Sequence, residues 1–316
     1  MIMTENYSFE VPGRICILGD KVDLLEKPVI AAAIDLMMRF ELQKNDDSNV
    51  IFYSYNTKEK IKFKLGENPP SNINLGYWSV LYERLKDQID IGFSLHVKSE
   101  IPIGRGLSTS AALSVGFLRA INFAYDLKLT ASDIAELAYI GENNDLGIQC
   151  GRMDQYSIAY GGVSFIYTDA KPKVEQLNIS TIPLVVGDSL ENRRARSVLN
   201  RIKSQIQRGN GDTLKAFKII ENCVYEGRTA LINKDFIKLG KLMDKQQEQE
   251  RKLEANTEMI DNLCMASKQA GALGVKQMGA GGGGCMLALC PGKQQEVASA
   301  IEKAGGKAWF FNIFNY

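Results

Sequence analysis

Apolar residues recur along the chain with two periods, and the change of period divides it into strands and helices. Residues 9–55 carry three segments rich in β-branched and aromatic types, VPGRICILGD, PVIAAAIDLMMRFELQ and NVIFYSYN, which predict strands. In LGYWSVLYERL (75–85), Trp78, Leu81, Tyr82 and Leu85 fall at helical spacing. FSLHVKS (93–99) alternates, with Phe93, Leu95 and Val97 on one face and His96 on the other, as a half-buried strand does. A turn bearing Pro102, Gly104 and Gly106 then leads into a long helix over about 108–125. Thr130 and Asp133 form a capping pair for a second helix ending near Ile140. The loop GIQCGRMDQ precedes a further helix and the strand GVSFIYTD (161–169).

After Pro183 the pattern becomes mostly helical. Strand LVVGD is followed by helices near 191–208, 212–232, 235–253 and 257–270. A strand–loop–strand (GVKQMGAGGGGCMLALC), a helix at 293–304 and a last strand, KAWFFNIF, complete the chain. The polar stretch DAKPKVEQLN suggests a division into residues 1–175 and 176–316. No internal repeat marks a solenoid.

Composition narrows the choice of function. Lys plus Arg (38) nearly cancels Asp plus Glu (37), so no charge excess points to nucleic acid or a membrane surface. The first residues lack the pattern of a signal peptide, and no apolar run reaches membrane-spanning length, which leads us to expect a cytoplasmic protein. Six cysteines are scattered without metal-ligand spacing, and a single histidine rules out a multi-histidine metal site.

Three segments carry chemistry. IPIGRGLSTSAA combines two glycines that permit close backbone approach, three hydroxyls at Ser108, Thr109 and Ser110, and a helix start whose free N–H groups favour anions. An ordinary capped turn has the same ingredients. No Walker-A lysine motif occurs. GAGGGGC (279–285) matches GxGxxG formally but leads into a strand, so it does not read as a dinucleotide site; so many glycines suggest a backbone pressed against a ligand or another loop. Glu142 and Asp154, twelve positions apart, are of the types that hold Mg²⁺ and accept a hydroxyl proton in phosphoryl transfer, and Arg14 follows Pro12-Gly13.

Together, PGRICILGDKVDLLEKPVIAAAI, IPIGRGLSTSAA and GAGGGGC resemble, in order, the three motifs of the GHMP kinase superfamily. The resemblance implies an α+β fold of two lobes, the first like ribosomal protein S5 domain 2 and the second ferredoxin-like, binding ATP and Mg²⁺ as a monomer or homodimer. CGRMDQ and the Gly13–Asp23 segment are most similar to galactokinases. By that likeness Asp154 is the catalytic aspartate and Arg14 its partner at the transferring phosphoryl group. Ser110 and Glu142 hold Mg²⁺, and Gly104, Gly106, Leu107, Ser108, Thr109, Ser110 and Ala111 hold the nucleotide phosphates. Trp78 lies near the base, and Asp20, Lys21, Asp23, Gly151 and Asp154 contact the substrate. The family's Glu-His is Asp20-Lys21 here and its Tyr is Leu24, so the acceptor is left open. We expect a sugar kinase of galactokinase type. The alternatives are a mevalonate-type kinase, which the resemblance associates with lysine at the Arg14 position, and a silent sugar and ATP sensor.

Overall fold

The computed structural model describes residues 6–72, 74–192 and 194–316, which group into two compact units. The first comprises 1–13, 36–102 and 108–160, and the second 14–35, 103–107 and 161–316. The units therefore interleave along the chain, where the sequence suggested one boundary at 175.

In the first unit, β1 (Asn6–Leu18) contributes its start and β2 (Val29–Asn45) its second half. β3 (Asn49–Ser54), β4 (Lys60–Lys64), α1 (Gly76–Leu85) and β5 (Gly92–Ser99) follow. α2 (Thr109–Tyr125), α3 (Ala131–Ile140) and α4 (Met153–Tyr160) complete it. The strand order is β4-β3-β5-β2. β3 runs parallel to β5, and β2 pairs antiparallel with β5 from Met38↔Ser99 to Asn45↔Gly92. Sequence reading passed over β4, although Lys-Ile-Lys-Phe-Lys alternates as a half-buried strand should.

The apolar positions of these elements meet in an aromatic core. Phe52 packs edge-on against Phe63, Trp78, Tyr82 and Phe117. Gly116 on α2 is required there, because a Cβ would stand 2.1 Å from the Phe40 ring. α3 begins as its sequence predicts: Thr130 and Asp133 each bond the other's backbone N–H in a capping box. His96 is half-buried on β5, its Nδ1 3.4 Å from the Tyr55 hydroxyl.

In the second unit, Val29–Ala32 of β2 pairs with β6 (Val163–Tyr167), and β6 pairs with β7 (Lys173–Gln176). β7 occupies the polar stretch read above as a boundary; its backbone pairs with β6 regardless of its polar side chains. A separate antiparallel sheet contains β8 (Leu184–Asp188), β9 (Gly274–Gln277), β10 (Cys285–Leu289) and β11 (Lys307–Trp309), in the order β11-β8-β10-β9. The expected long final strand is shorter than its apolar run: beyond Trp309 only the bridge Ile34↔Ile313 remains.

Five helices accompany these strands: α5 (Ala195–Gln207), α6 (Gly211–Ile232), α7 (Phe236–Lys252), α8 (Glu258–Gln269) and α9 (Gln294–Lys303). Asn210, Asp235 and Thr257 cap α6, α7 and α8 through their side chains. α8 and α9 bury Ile260, Leu263, Val297 and Ile301 with Val185, Met286 and Ala288 of the sheet. α7 lies so close to β9 that a Cβ at Gly274 would sit 2.2 Å from the Gly240 carbonyl oxygen. That approach brings the polar stretch of α7 into the interior. No helix among the described residues is long and apolar enough to cross a membrane.

Candidate active site

The residues singled out as phosphate ligands begin α2. Ser108 is its N-cap position, yet it adopts φ 64°, a left-handed conformation uncommon for a residue with a Cβ, and makes no side-chain cap bond. Its hydroxyl donates instead to Asp154 Oδ2 at 2.5 Å. An ordinary Ser cap would bind the N–H of the second or third helical residue. Here that hydroxyl is diverted to a carboxylate, which leaves the positive end of a 17-residue helix without its usual cap. Local strain of this kind clusters at functional positions.

Thr109 Oγ1 donates to the Pro102 carbonyl at 3.3 Å, and Ala111 is buried. Ser110, on the next position of the helix, donates to Glu142 Oε1 at 3.1 Å. Glu142 stands in a wide, π-type turn over Gly141–Asp145 that continues α3, and it is buried at 6% exposure. Its Oε2 accepts from Gln155 Nε2 at 2.9 Å. Asp154, placed by sequence in a loop, lies in the first turn of α4, and Gly151 is half-buried just before it. The structure thus gathers Ser108, Ser110, Glu142 and Asp154 around the start of α2.

Two further residues belong to this cluster. Gln155 is fully buried, and Tyr77 on α1 stands next to Ser110. Burial, and then the charge of Glu142, push the Tyr77 phenol up to about 12. Neither drew notice in the sequence: Gln155 follows a more conspicuous aspartate, and Tyr77 precedes the tryptophan that took the attention. Arg152 also shapes the segment, donating to both oxygens of Glu136 at 3.0 and 2.9 Å and lying over the Tyr139 ring.

Residues 103–107, in which a phosphate role was expected, belong to the second unit. Gly104 and Gly106 have φ of 75° and 87°, as expected for tight turns that favour glycine. Arg14 is buried and donates Nη1 to the Gly106 carbonyl at 2.6 Å, while its own N–H donates to the Leu107 carbonyl. Arg105 donates to the Glu191 carbonyl at 2.8 Å and faces Asp188 at 3.4 Å. The glycine loop ties to the same 188–194 segment: Gly284 N–H donates to Ser189 Oγ, and Arg194 N–H donates to the Gly282 carbonyl. A Cβ at Gly281 would stand 2.3 Å from the Ala255 carbonyl oxygen, so packing against neighbouring chain explains that glycine.

Three sequence expectations need correction. Trp78 is fully buried among Phe40, Phe52 and Phe117, and its indole N–H donates to the Leu113 carbonyl at 2.9 Å. No face of the ring is left for a nucleotide base. Asp20 is likewise inaccessible: Oδ1 accepts from the Gly279 N–H, and Oδ2 meets Lys276 Nζ at 2.5 Å and Gln246 Nε2 at 2.9 Å. Lys21 contacts Glu250 Oε2 at 2.6 Å and the Gly279 carbonyl at 2.8 Å, with its side chain only 2% exposed. Asp20 and Lys21 are therefore half of a buried quartet of two carboxylates and two ammoniums, and sequence reading had assigned them to substrate. Asp23, in the short helical turn Val22–Leu25, is half-buried.

Burial raises both carboxyls of the quartet, and their neighbours then separate them. The Lys276 and Lys21 charges and the Gly279 N–H hold Asp20 below its usual range, whereas Glu250 stays above its own. The quartet links residues 20–21, α7 and the first glycine of the 279–284 loop. Glu250 and Gln246 escaped sequence reading because DKQQEQERK looks like a solvated helix face, and Lys276 because nothing in the short strand GVKQ names its distant partner.

Oxygen donors are what Mg²⁺ takes, usually one or two carboxylates with substrate phosphates and water. Glu142 and Ser110 supply a carboxylate and a hydroxyl side by side, which fits that ion. Among the described residues no group of three or more His, Cys, Asp or Glu could cage a metal without such help.

Comparison with known proteins identifies the family. Residues 74–162 match the family model of the GHMP kinases N terminal domain, and 228–307 that of GHMP kinases C terminal. The mevalonate kinase of Pyrococcus abyssi is 30% identical over 93% of this chain and 92% of its own. The D-glycero-alpha-D-manno-heptose 7-phosphate kinase of Campylobacter jejuni is 28% identical over 90% and 88%. Lactococcus lactis galactokinase, solved with galactose, superposes with a TM-score of 0.84 at 22% identity over 98% and 94%, a likeness of fold alone. The special closeness to galactokinases expected from CGRMDQ therefore gives way to similarity to mevalonate kinases. With both domain models matched and mevalonate kinases aligned over nearly its whole length, the chain belongs to the GHMP kinase family.

Proposed function

We propose that the protein is an ATP-dependent kinase of mevalonate type, transferring the γ-phosphate to a hydroxyl of a small hydroxy acid. The observation that carries the acceptor is the 30% identity to a mevalonate kinase across 93% of the chain. A second supports it: Asp20 and Lys21, which by the galactokinase likeness would read sugar hydroxyls, are engaged in buried ion pairs.

The chemistry follows from the α2 start. Its uncapped N–H groups favour the nucleotide phosphates. Glu142 and Ser110 would hold Mg²⁺, which when bound neutralises phosphate charge. Asp154, held by the Ser108 hydroxyl, orients the acceptor hydroxyl and takes its proton. By the family likeness Arg14, whose Nη1 donates to the Gly106 carbonyl, supplies the positive charge that phosphoryl transfer requires.

A coupled assay of ADP release with (R)-mevalonate, galactose and the heptose 7-phosphate as acceptors tests this reading. Turnover on mevalonate is the expected result. Turnover on a sugar with none on mevalonate would overturn the acceptor and leave the phosphate site standing, and absence of turnover on every acceptor would favour a silent sensor. Asp154→Asn should lower kcat by about 10²–10⁴-fold with ATP binding nearly intact. Wild-type turnover in that variant would reject the role of Asp154.

A further inference from the structure

The Ser110–Glu142 pair is flanked by two groups to which the kinase mechanism gives no part. From α4, Gln155 donates Nε2 to Glu142 Oε2 at 2.9 Å, and its Oε1 is a buried acceptor with no partner among the described residues. Reversing that amide would set oxygen against oxygen, so Glu142 fixes its orientation. From α1, the Tyr77 side chain stands next to Ser110. A serine oxygen has one proton and two lone pairs. In this structure Ser110 donates that proton to Glu142 Oε1. When both oxygens face one cation, the Ser110 proton must turn to another acceptor. A neutral phenol can supply one, and Tyr77 is the neighbouring phenol.

We infer that Tyr77 and Gln155 are positioning residues for a divalent cation on Ser110 and Glu142. Tyr77 accepts the Ser110 proton so that a Ser110 lone pair faces the ion. Gln155 pins Glu142 through Oε2 so that Oε1 faces it. The inference rests on the kinase reading, which puts the cation there. Outer partners of this kind typically change metal affinity by about 10–100-fold when removed.

The test is binding of Mn²⁺, followed by electron paramagnetic resonance, with and without a non-hydrolysable ATP analogue. Tyr77→Phe and Gln155→Met should each weaken Mn²⁺ binding by about 10–100-fold. Binding of the analogue without metal should stay near wild type in both variants. The Mg²⁺ concentration for half-maximal turnover should rise in parallel. Tyr77→Phe removes a single oxygen, so it keeps the test decisive if Gln155→Met does not fold. Ser110→Ala and Glu142→Gln probe the underlying reading separately. If those two bind Mn²⁺ like wild type, the cation site itself is misassigned and the inference falls with it. If they weaken binding while Tyr77→Phe and Gln155→Met do not, the positioning roles alone are overturned.

Discussion

Replacing Lys276 by Met tests whether the buried quartet acts as an energetic unit. The ammonium is fully buried on β9, 2.5 Å from Asp20 Oδ2 and 3.0 Å from the Cys16 carbonyl oxygen. Burial pulls a lysine down, but Asp20 beside it outweighs that and holds Lys276 above its usual value. Met roughly keeps the volume and removes the charge, leaving Asp20 buried without its nearest cation. Removing one partner of a buried pair costs about 3–5 kcal/mol. Asp20 retains Gln246, the Gly279 N–H and the nearby Lys21 charge, which places the expected loss at the low end, about 3 kcal/mol. Asp20→Asn removes the opposite charge, so Asp20→Asn/Lys276→Met should lose less than the sum of the single changes, by about 0.5–3 kcal/mol. Urea denaturation of the four proteins, followed by circular dichroism, measures both quantities. A Lys276→Met protein within about 0.5 kcal/mol of wild type, or strictly additive losses, would refute the reasoning.

Other expectations follow from single contacts. Trp78→Phe should lower stability by about 0.5–3 kcal/mol, because it opens a gap beside Phe117 and removes the bond to Leu113, and should leave the KM for ATP unchanged; a raised KM in a normally folded variant would return Trp78 to the nucleotide site. Burial raises the Glu136 carboxyl, but the hydrogen bonds from Arg152 and Tyr156 outweigh it and hold it below its usual range. Its stabilisation is therefore fully present above the unfolded carboxyl value of about 4.3 and is lost as pH falls through the lower folded value. Glu136→Gln should flatten that acid limb in melting temperatures measured across pH, and an unchanged acid limb would exclude the contribution.

How far the sequence could be read depended on the range of each interaction. The α1 stripe, the Thr130–Asp133 box and the Ser108–Ala111 start of α2 depend on neighbours within a few positions, and periodicity and capping chemistry made them legible. Glu142 and Asp154 were singled out through the family resemblance rather than by their spacing alone, and a turn and the start of α4 bring them to one helix end. The extent of β11 was not, because an apolar run does not say where strand pairing stops.

The sequence by itself, through its periodicity and motifs, determined the class of fold, most of the elements and the residues that begin α2. Only the tertiary structure decided which polar groups remain accessible. Asp20 and Gly279 are 259 positions apart, and Lys21 and Glu250 meet only because α7 approaches β9 at the glycines Gly240 and Gly274. Burial is a property of the folded neighbourhood, so a lysine beside an aspartate reads alike whether it meets a substrate or an ion pair. In this protein the folded neighbourhood made Asp20 and Lys21 structural, buried Trp78 in the core, and set Tyr77 and Gln155 beside the Ser110–Glu142 pair.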